Sequence, residues 1–288
     1  MSLIEEIVEI RAYEPGRIAT TLAERPKGEM PKEGKLLIIA CDHPARGAMG
    51  AGDDPMAMAS REDLLARCVE ALSRPGVHGF LGTSDLIEDL ALLGALDGKL
   101  VYGSMNRGGL QGATFEMNDR MTGYDVRGVV DAGLDGGKML LRINYEDPKT
   151  VDTISTCATA VNGLADERVM AMVEPFISRW IKGLIVNDLS PDAVIESMAI
   201  ASGLGKTSAY TWLKLPAVAD MERVMAASTL PALILGGAVS KDADAARDSW
   251  RRALELPNVK GLVIGRSLLY PPTGSVADAV DTTLGMLS

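Results

Sequence analysis

The sequence predicts an eight-stranded parallel α/β barrel, the (β/α)8 or TIM barrel class, preceded by a short helical extension. Three observations lead to this fold class. The chain has 288 residues, which exceeds a small module and suits a barrel of roughly 250 residues. Short apolar runs alternate with segments of helical spacing, as βαβ units do. The apolar runs are nearly continuous, as burial on both faces of a parallel sheet requires.

The elements follow in order along the chain. Residues 1–24 predict one or two amphipathic helices broken near Pro15 and Gly16, and a polar loop follows. We therefore expect one domain over 1–288, with a barrel core at about 35–288 and a helical N-terminal extension at 1–34. The predicted strands are 36–41, 79–82, 100–103, 138–143, 169–173, 209–213, 232–235 and 261–264. The predicted helices after them are 61–73, 84–95, 122–133, 148–163, 190–202, 217–228, 241–255 and 275–287.

Helix-capping residues support these predicted bounds. The helix over 190–202 has Ser190 as N-cap, Pro191 in its first turn and Gly203 at its end. A doubly wound sheet is the alternative, but the first strand is followed by Asp-His-Pro at 42–44 and not by its glycine-rich turn. Segments 104–121 and 174–189 are predicted to be long loops that lie over the active face.

Composition restricts the partners. The net charge of −10 argues against nucleic acid and anionic membranes, but a phosphorylated small molecule still fits a local anion site. No apolar run approaches the ~20 residues of a membrane span, and the acidic N-terminus is unlike a signal peptide, so we expect a cytoplasmic protein. Three scattered cysteines and two histidines give no metal-site pattern, and neither a metal nor a cofactor is expected. A homo-oligomer is expected, with residues 1–30 as a candidate interface.

Lys214, at the end of the sixth predicted strand, is the main candidate for chemistry. Lysine is rarely fully buried, and desolvation lowers the pKa of a lysine amine, which leaves a neutral nucleophile for a carbonyl carbon. We therefore expect Lys214 to form a Schiff base. The alternative is a lysine that reaches from the strand end to solvent.

Other polar residues fall at the carboxyl ends of predicted strands, where barrel enzymes place their reacting groups. Lys138 and Arg142 share one face of the fourth strand, Glu174 follows the fifth, and Asp42 follows the first. If that shared face points inward, Lys138 lies near Lys214, Glu174 either compensates their charge or carries protons, and Arg142 is a candidate for binding substrate. The alternatives are a solvated strand start for Lys138, a loop acid for Glu174 and a turn cap for Asp42.

Glycines mark the ends of the last two strands. Gly236 and Gly237 follow the seventh, and Gly265 and Arg266 follow the eighth. This is the usual phosphate site of an eight-stranded barrel, because glycine lets backbone amides approach the anion and an arginine adds a charge-assisted hydrogen bond. Tight turns at the barrel corners are the alternative.

With these motifs the chain resembles the class I, Schiff-base aldolases of the tagatose-1,6-bisphosphate and archaeal-type fructose-bisphosphate group. The resemblance covers roughly residues 35–270. It is carried by the sequences at 40–44 (ACDHP), 137–148 (GKMLLRINYEDP), 172–175 (MVEP), 212–216 (WLKLP), 235–237 (LGG) and 264–267 (IGRS). Two positions depart from the usual pattern, Pro44 and the segment 106–109.

The resemblance implies roles for individual residues. Lys214 would form the iminium, Lys138 and Glu174 would activate it and move protons, and Asp42 would lie near the substrate hydroxyls. Tyr145 is the nearest match to an acid/base tyrosine after the fourth strand. The expected reaction is cleavage of a phosphorylated ketose or keto-sugar acid to dihydroxyacetone phosphate and an aldehyde. A phosphosugar isomerase, an acyl transferase and a non-catalytic phosphosugar-binding barrel are the alternatives.

Overall fold

Eight parallel strands close into a barrel in the computed structural model, which describes residues 3–237 and 243–287. The barrel strands and their neighbour in the sheet are β1 (Leu36–Cys41), β2 (Gly79–Gly82), β3 (Leu100–Ser104), β4 (Gly136–Ile143), β5 (Met170–Ile181), β6 (Leu184–Asn187), β7 (Thr211–Pro216), β8 (Ala232–Leu235) and β9 (Val259–Ile264). β6 lies outside the barrel, and the closed order is β1-β2-β3-β4-β5-β7-β8-β9, with β9 pairing back to β1. The predicted fold class is therefore confirmed.

Helices alternate with the strands. They are α1 (Leu3–Tyr13), α2 (Gly16–Glu24), α3 (Arg61–Ser73), α4 (Ser84–Leu92), α5 (Val126–Asp131), α6 (Lys149–Asp166), α7 (Pro191–Ser202), α8 (Met221–Ala226), α9 (Ala243–Leu254), α10 (Arg266–Leu269) and α11 (Val276–Leu284). The helices α1 and α2 precede the barrel as predicted and pack beside α3 and α4. There Arg11 forms an ion pair with Asp89, at 2.7 Å. The start of the predicted helix 241–255 lies outside the described residues.

The alternation of each strand separates two hydrophobic layers. On β1, Leu36, Ile38 and Ala40 point into the barrel, whereas Leu37, Ile39 and Cys41 pack against the helices. The inner layer is a small apolar plug completed by Leu81, Leu100, Tyr102, Met170, Met172, Leu233 and Val263. A residue that continues this inward alternation past the plug faces the carboxyl-terminal mouth. The strand pattern thus dictates which side chains reach the site.

The structure extends β4 and β7 relative to the prediction. β4 begins at Gly136 because its two glycines leave room for neighbours, since a Cβ at Gly136 would lie 2.7 Å from the Tyr102 ring. β7 runs to Pro216 because its ladder with β8 continues past Lys214, which is in register with Leu233. Lys214 therefore lies inside a strand and not at its end.

The segment 174–189, predicted as a loop, is a hairpin. β5 continues past the barrel rim and pairs antiparallel with β6, with Ser178 opposite Asn187. The turn at Lys182 and Gly183 has two positive φ angles, of 51° and 80°, as a two-residue hairpin turn requires. Lysine is uncommon in that conformation, so the sequence carried no strong turn signal.

No helix within residues 3–237 and 243–287 is long and apolar enough to cross a bilayer.

Candidate active site

A cavity of about 620 Å³ opens at the carboxyl ends of the barrel strands. Its walls come from β1, β4, β5, β7 and the segments after β3, β8 and β9. Nine of the ten residues singled out in the sequence line it, namely Asp42, Lys138, Arg142, Glu174, Lys214, Gly236, Gly237, Gly265 and Arg266. Barrel enzymes place their chemistry at this face.

Four of these residues form a continuous row of charges at the base of the cavity. Lys214 Nζ lies 3.1 Å from Glu174 Oε1, and Lys138 Nζ lies 2.5 Å from Glu174 Oε2. Lys138 Nζ also lies 3.3 Å from Asp42 Oδ2. All four side chains are buried, with Lys214 only 5% exposed. Glu174 is therefore shared by two lysines, and Lys138 by two carboxylates.

The alternation of side chains along each strand brings these four charged residues to the mouth of the barrel. Lys138 follows Gly136 inward on β4, Glu174 follows Met172 inward on β5, and Lys214 follows Trp212 inward on β7. Asp42 continues the inward series of β1 just past the end of that strand. Groups on four strands meet because the carboxyl ends of parallel strands lie at one rim.

The electrostatics of the row fix its resting charge. Burial opposes ionisation of Glu174, but the two lysines prevail and lower its pKa to about 2. Burial also opposes ionisation of Asp42, yet Lys138 and Arg107 hold the pKa of that carboxyl well below its usual range. Burial lowers the pKa of Lys138, against the pull of Asp42 and Glu174. Near neutral pH both carboxyls are therefore ionised.

Arg107 is a functional candidate that the sequence reading had not selected. Its Nη1 donates to Asp42 Oδ2 at 2.9 Å, its Nη2 donates to the Asp42 carbonyl, and Ser104 Oγ donates to the same carboxylate oxygen at 2.9 Å. These contacts hold Asp42 ionised and fix its orientation. The only sequence signal was the position of Arg107 just after a strand end, in a segment predicted as a long loop.

The segment after β3 is anchored by a second buried ion pair. Arg46 Nη2 lies 2.6 Å from Asp119 Oδ2, and Asp119 Oδ1 accepts from the Gly109 amide at 2.9 Å. Asn106 ties this pair to β4 by exchanging hydrogen bonds with the backbone of Leu140. These residues are far apart in sequence, so spacing alone could not have linked them.

Arg142 lies higher in the cavity wall, two residues beyond Leu140 on the inward face of β4. Its Nη2 lies 2.8 Å from Glu116 Oε1, and Glu116 Oε2 accepts from the Gly112 amide at 2.7 Å. Arg142 Nε and Nη1 are buried and have no hydrogen-bond partner among the described residues.

The opposite wall holds the glycines and the arginine for which the sequence predicted an anion site. Gly236 and Gly265 directly follow β8 and β9, and a Cβ at Gly265 would collide with the Ala40 carbonyl. Gly237 has a φ of 69°, which favours glycine. Arg266 lines the cavity, and its nearest acceptor, the Gly50 carbonyl oxygen, lies 3.4 Å away.

Two further residues complete the account of the site. His43 lines the cavity beside Asp42, with 3.9 Å between Nδ1 and Oδ1, and burial lowers its pKa to about 3, so the ring is neutral. Tyr145 is the one predicted site residue that the structure does not bring to the cavity. It is 70% exposed, and its hydroxyl donates to Glu196 at 2.7 Å.

Within the described part of the chain, no three His, Cys, Asp or Glu side chains are grouped as a metal site requires.

Comparisons with known proteins show the family of this chain and the proteins that share its fold. Residues 34–284 match the model of a family described as Cgl0159-like. The crystal structure of Cgl0159 from Corynebacterium glutamicum (Brevibacterium flavum) is 54% identical, with a TM-score of 0.96 over 99% of this chain and 96% of that one. No curated protein matches the chain.

More distant structures share the barrel. A Schiff-base-forming fructose-1,6-bisphosphate aldolase is 17% identical, with a TM-score of 0.63 over 94% of this chain and 100% of that one. An archaeal fructose-1,6-bisphosphate aldolase, with its catalytic lysine bound to the carbinolamine intermediate, is 16% identical, with a TM-score of 0.63 over 94% and 99% of the two chains. At these identities the likeness is one of fold.

Proposed function

This chain belongs to the Cgl0159-like family, and from the geometry of its barrel mouth we propose that it is a class I aldolase. In this proposal Lys214 cleaves a phosphorylated ketose or keto-sugar acid through a Schiff base. The observation that carries the proposal is the buried Lys214 amine, 3.1 Å from Glu174 at the base of a large polar cavity. The similarity of the barrel to Schiff-base aldolases supports it.

The reaction begins with the amine. Lys214 Nζ gives a proton to Glu174, attacks the ketone carbon and forms a carbinolamine. The carbinolamine hydroxyl leaves as water when it receives a proton, and a cationic iminium remains. Lys138 donates this proton, because its lowered pKa makes it a stronger acid than an ordinary lysine, and it is then reprotonated by the proton that Glu174 took from Lys214. Glu174 stays beside the iminium and stabilises its charge.

Carbon–carbon cleavage follows. The substrate hydroxyl loses its proton to Glu174, its oxygen becomes the aldehyde carbonyl, and the electrons of the broken bond enter the iminium to give a neutral enamine. One of the two cations that hold the pKa of Glu174 low is then gone, so proton uptake becomes more favourable at this step. Glu174 returns the proton to the enamine carbon, and water hydrolyses the imine. Free dihydroxyacetone phosphate and the lysine amine result.

Binding groups surround this centre. The phosphate would contact the backbone amides at Gly236, Gly237 and Gly265 and the Arg266 guanidinium. Asp42, held by Arg107, would accept a hydrogen bond from a substrate hydroxyl. Tyr145 has no step in this scheme, because it lies outside the cavity.

Intact-mass analysis after incubation with dihydroxyacetone phosphate and sodium borohydride tests the proposal. We expect the wild type to gain one reduced adduct and Lys214→Met to gain none. Lys206→Met is the matched control, since Lys206 lies on the surface in an ion pair with Asp166 and should not affect the adduct. Equal labelling of wild type and Lys214→Met would refute the proposed role of Lys214.

A further inference from the structure

We infer that the substrate carries a carboxylate at the end remote from its phosphate, and that Arg142 binds this carboxylate. The inference rests on the proposed function and narrows it, because it makes the substrate a phosphorylated keto-sugar acid. Cleavage would then release an aldehyde that bears a carboxylate, that is, an oxo acid.

The barrel order places two cationic groups at opposite walls of one cavity. Arg142 is on β4 and Arg266 follows β9, and four steps separate these strands in either direction around the barrel. Lys214 is on β7, two steps from each. In strand order Lys214 therefore lies midway between the two arginines.

The Arg142 guanidinium has donors that no described protein group accepts from. One of its nitrogens, Nη2, is used by Glu116 at 2.8 Å, whereas Nε and Nη1 are buried without a hydrogen-bond partner in the described structure. Buried donors are seldom left unpaired, because the lost hydration is not replaced. An anion that binds in the cavity would satisfy them.

Glu116 shows which kind of anion this wall holds. Its carboxylate lies between the Arg142 guanidinium and the Gly112 amide, which donates at 2.7 Å. A substrate carboxylate has the same charge and planar shape. It can share Arg142 with Glu116 or take its place.

A second phosphate fits this wall poorly. Arg142 and Arg46 are already balanced by Glu116 and Asp119, with Arg46 and Asp119 2.6 Å apart. A phosphate dianion would bring two negative charges next to Glu116, whereas a carboxylate brings one. The glycine turns that suit a tetrahedral anion are at the other wall, beside Arg266.

The test runs the reaction in the direction of synthesis, with dihydroxyacetone phosphate and a panel of aldehydes. The oxo acids glyoxylate, 3-oxopropanoate and 4-oxobutanoate are compared with D-glyceraldehyde 3-phosphate and with neutral propanal. We expect one of the oxo acids to have the highest kcat/KM. Arg142→Met should lower that value about ten- to hundredfold, the loss of a charge-assisted hydrogen bond, and change the value for propanal little.

A second variant, Glu116→Gln, should strengthen binding of the oxo acid. Glu116→Gln keeps one amide oxygen, which can accept from the Gly112 amide or from Arg142 but not from both, and it removes the competing charge, so the KM for the oxo acid should fall severalfold. Arg142→Met leaves Glu116 buried without its cation, and the double variant with Glu116→Gln separates misfolding from a lost ligand contact. The double variant should fold and still lack the preference for oxo acids.

The outcomes distinguish this inference from the proposed function. Suppose that the borohydride adduct forms. If D-glyceraldehyde 3-phosphate then has the highest kcat/KM, or if Arg142→Met lowers kcat/KM equally for all aldehydes, the carboxylate site is refuted and the proposed aldolase activity is not. If no adduct forms on Lys214, both are refuted.

Discussion

Replacing Glu174 by glutamine tests the charge row at the base of the cavity. The carboxylate contacts Lys138 at 2.5 Å and Lys214 at 3.1 Å. Its pKa falls from an ordinary value of 4.5 to about 2 in the folded protein, which corresponds to about 3 kcal/mol of stabilisation at neutral pH. Glu174→Gln should therefore lower the free energy of unfolding by about 3 kcal/mol at pH 7.

The same substitution changes the dependence of stability on pH. A carboxyl whose pKa is lower in the folded state stabilises fully above its unfolded pKa, and this stabilisation is lost as the pH falls through the folded pKa. Between pH 7 and pH 3.5 the wild type should lose about 1 kcal/mol through Glu174, and Glu174→Gln should lack this component. Urea unfolding between pH 7 and pH 3.5 measures the free energy of unfolding of wild type and of Glu174→Gln. Glu196→Gln is the control, because Glu196 is exposed. Parallel pH profiles for wild type and Glu174→Gln would refute the assignment of the low pKa to Glu174.

Three further predictions concern neighbouring residues. Lys138→Met should slow iminium formation, so the rate of cleavage in a coupled assay and the rate at which the borohydride adduct forms on Lys214 should both fall about 100-fold, and unchanged turnover would exclude a proton-transfer role. Arg107→Met should lower the free energy of unfolding by about 3–5 kcal/mol in urea, because Asp42 loses a buried partner at 2.9 Å, and a loss below about 1 kcal/mol would contradict the buried pair. Tyr145→Phe should keep kcat/KM within about twofold of wild type, since its hydroxyl faces Glu196 outside the cavity, whereas a tenfold loss would return Tyr145 to the mechanism.

Strand alternation explains why so much of the barrel could be read from the sequence. Continuous apolar runs located the eight strands, and inward parity on β4 correctly grouped Lys138 with Arg142. Once a closed parallel barrel is assumed, polar residues at strand ends must converge, and the structure places nine of the ten selected residues around one cavity.

What the sequence did not reveal depends on contacts between distant segments. Arg107 and Asp42 are 65 positions apart and meet only because the segment after β3 folds over the mouth. Glu116 meets Arg142 for the same reason. The hairpin of β5 and β6 was missed because its turn uses Lys182 in a left-handed conformation, for which local sequence preferences give little warning.

The most direct test of the central claim is to locate the carbonyl adduct within the chain. Wild-type protein is reduced with borohydride in the presence of dihydroxyacetone phosphate, digested, and mapped by peptide mass spectrometry. The account predicts one modified site, at Lys214 in the segment 208–216, with Lys138 unmodified even though it lies in the same charge row. Modification at Lys138 with Lys214 unlabelled would contradict the account.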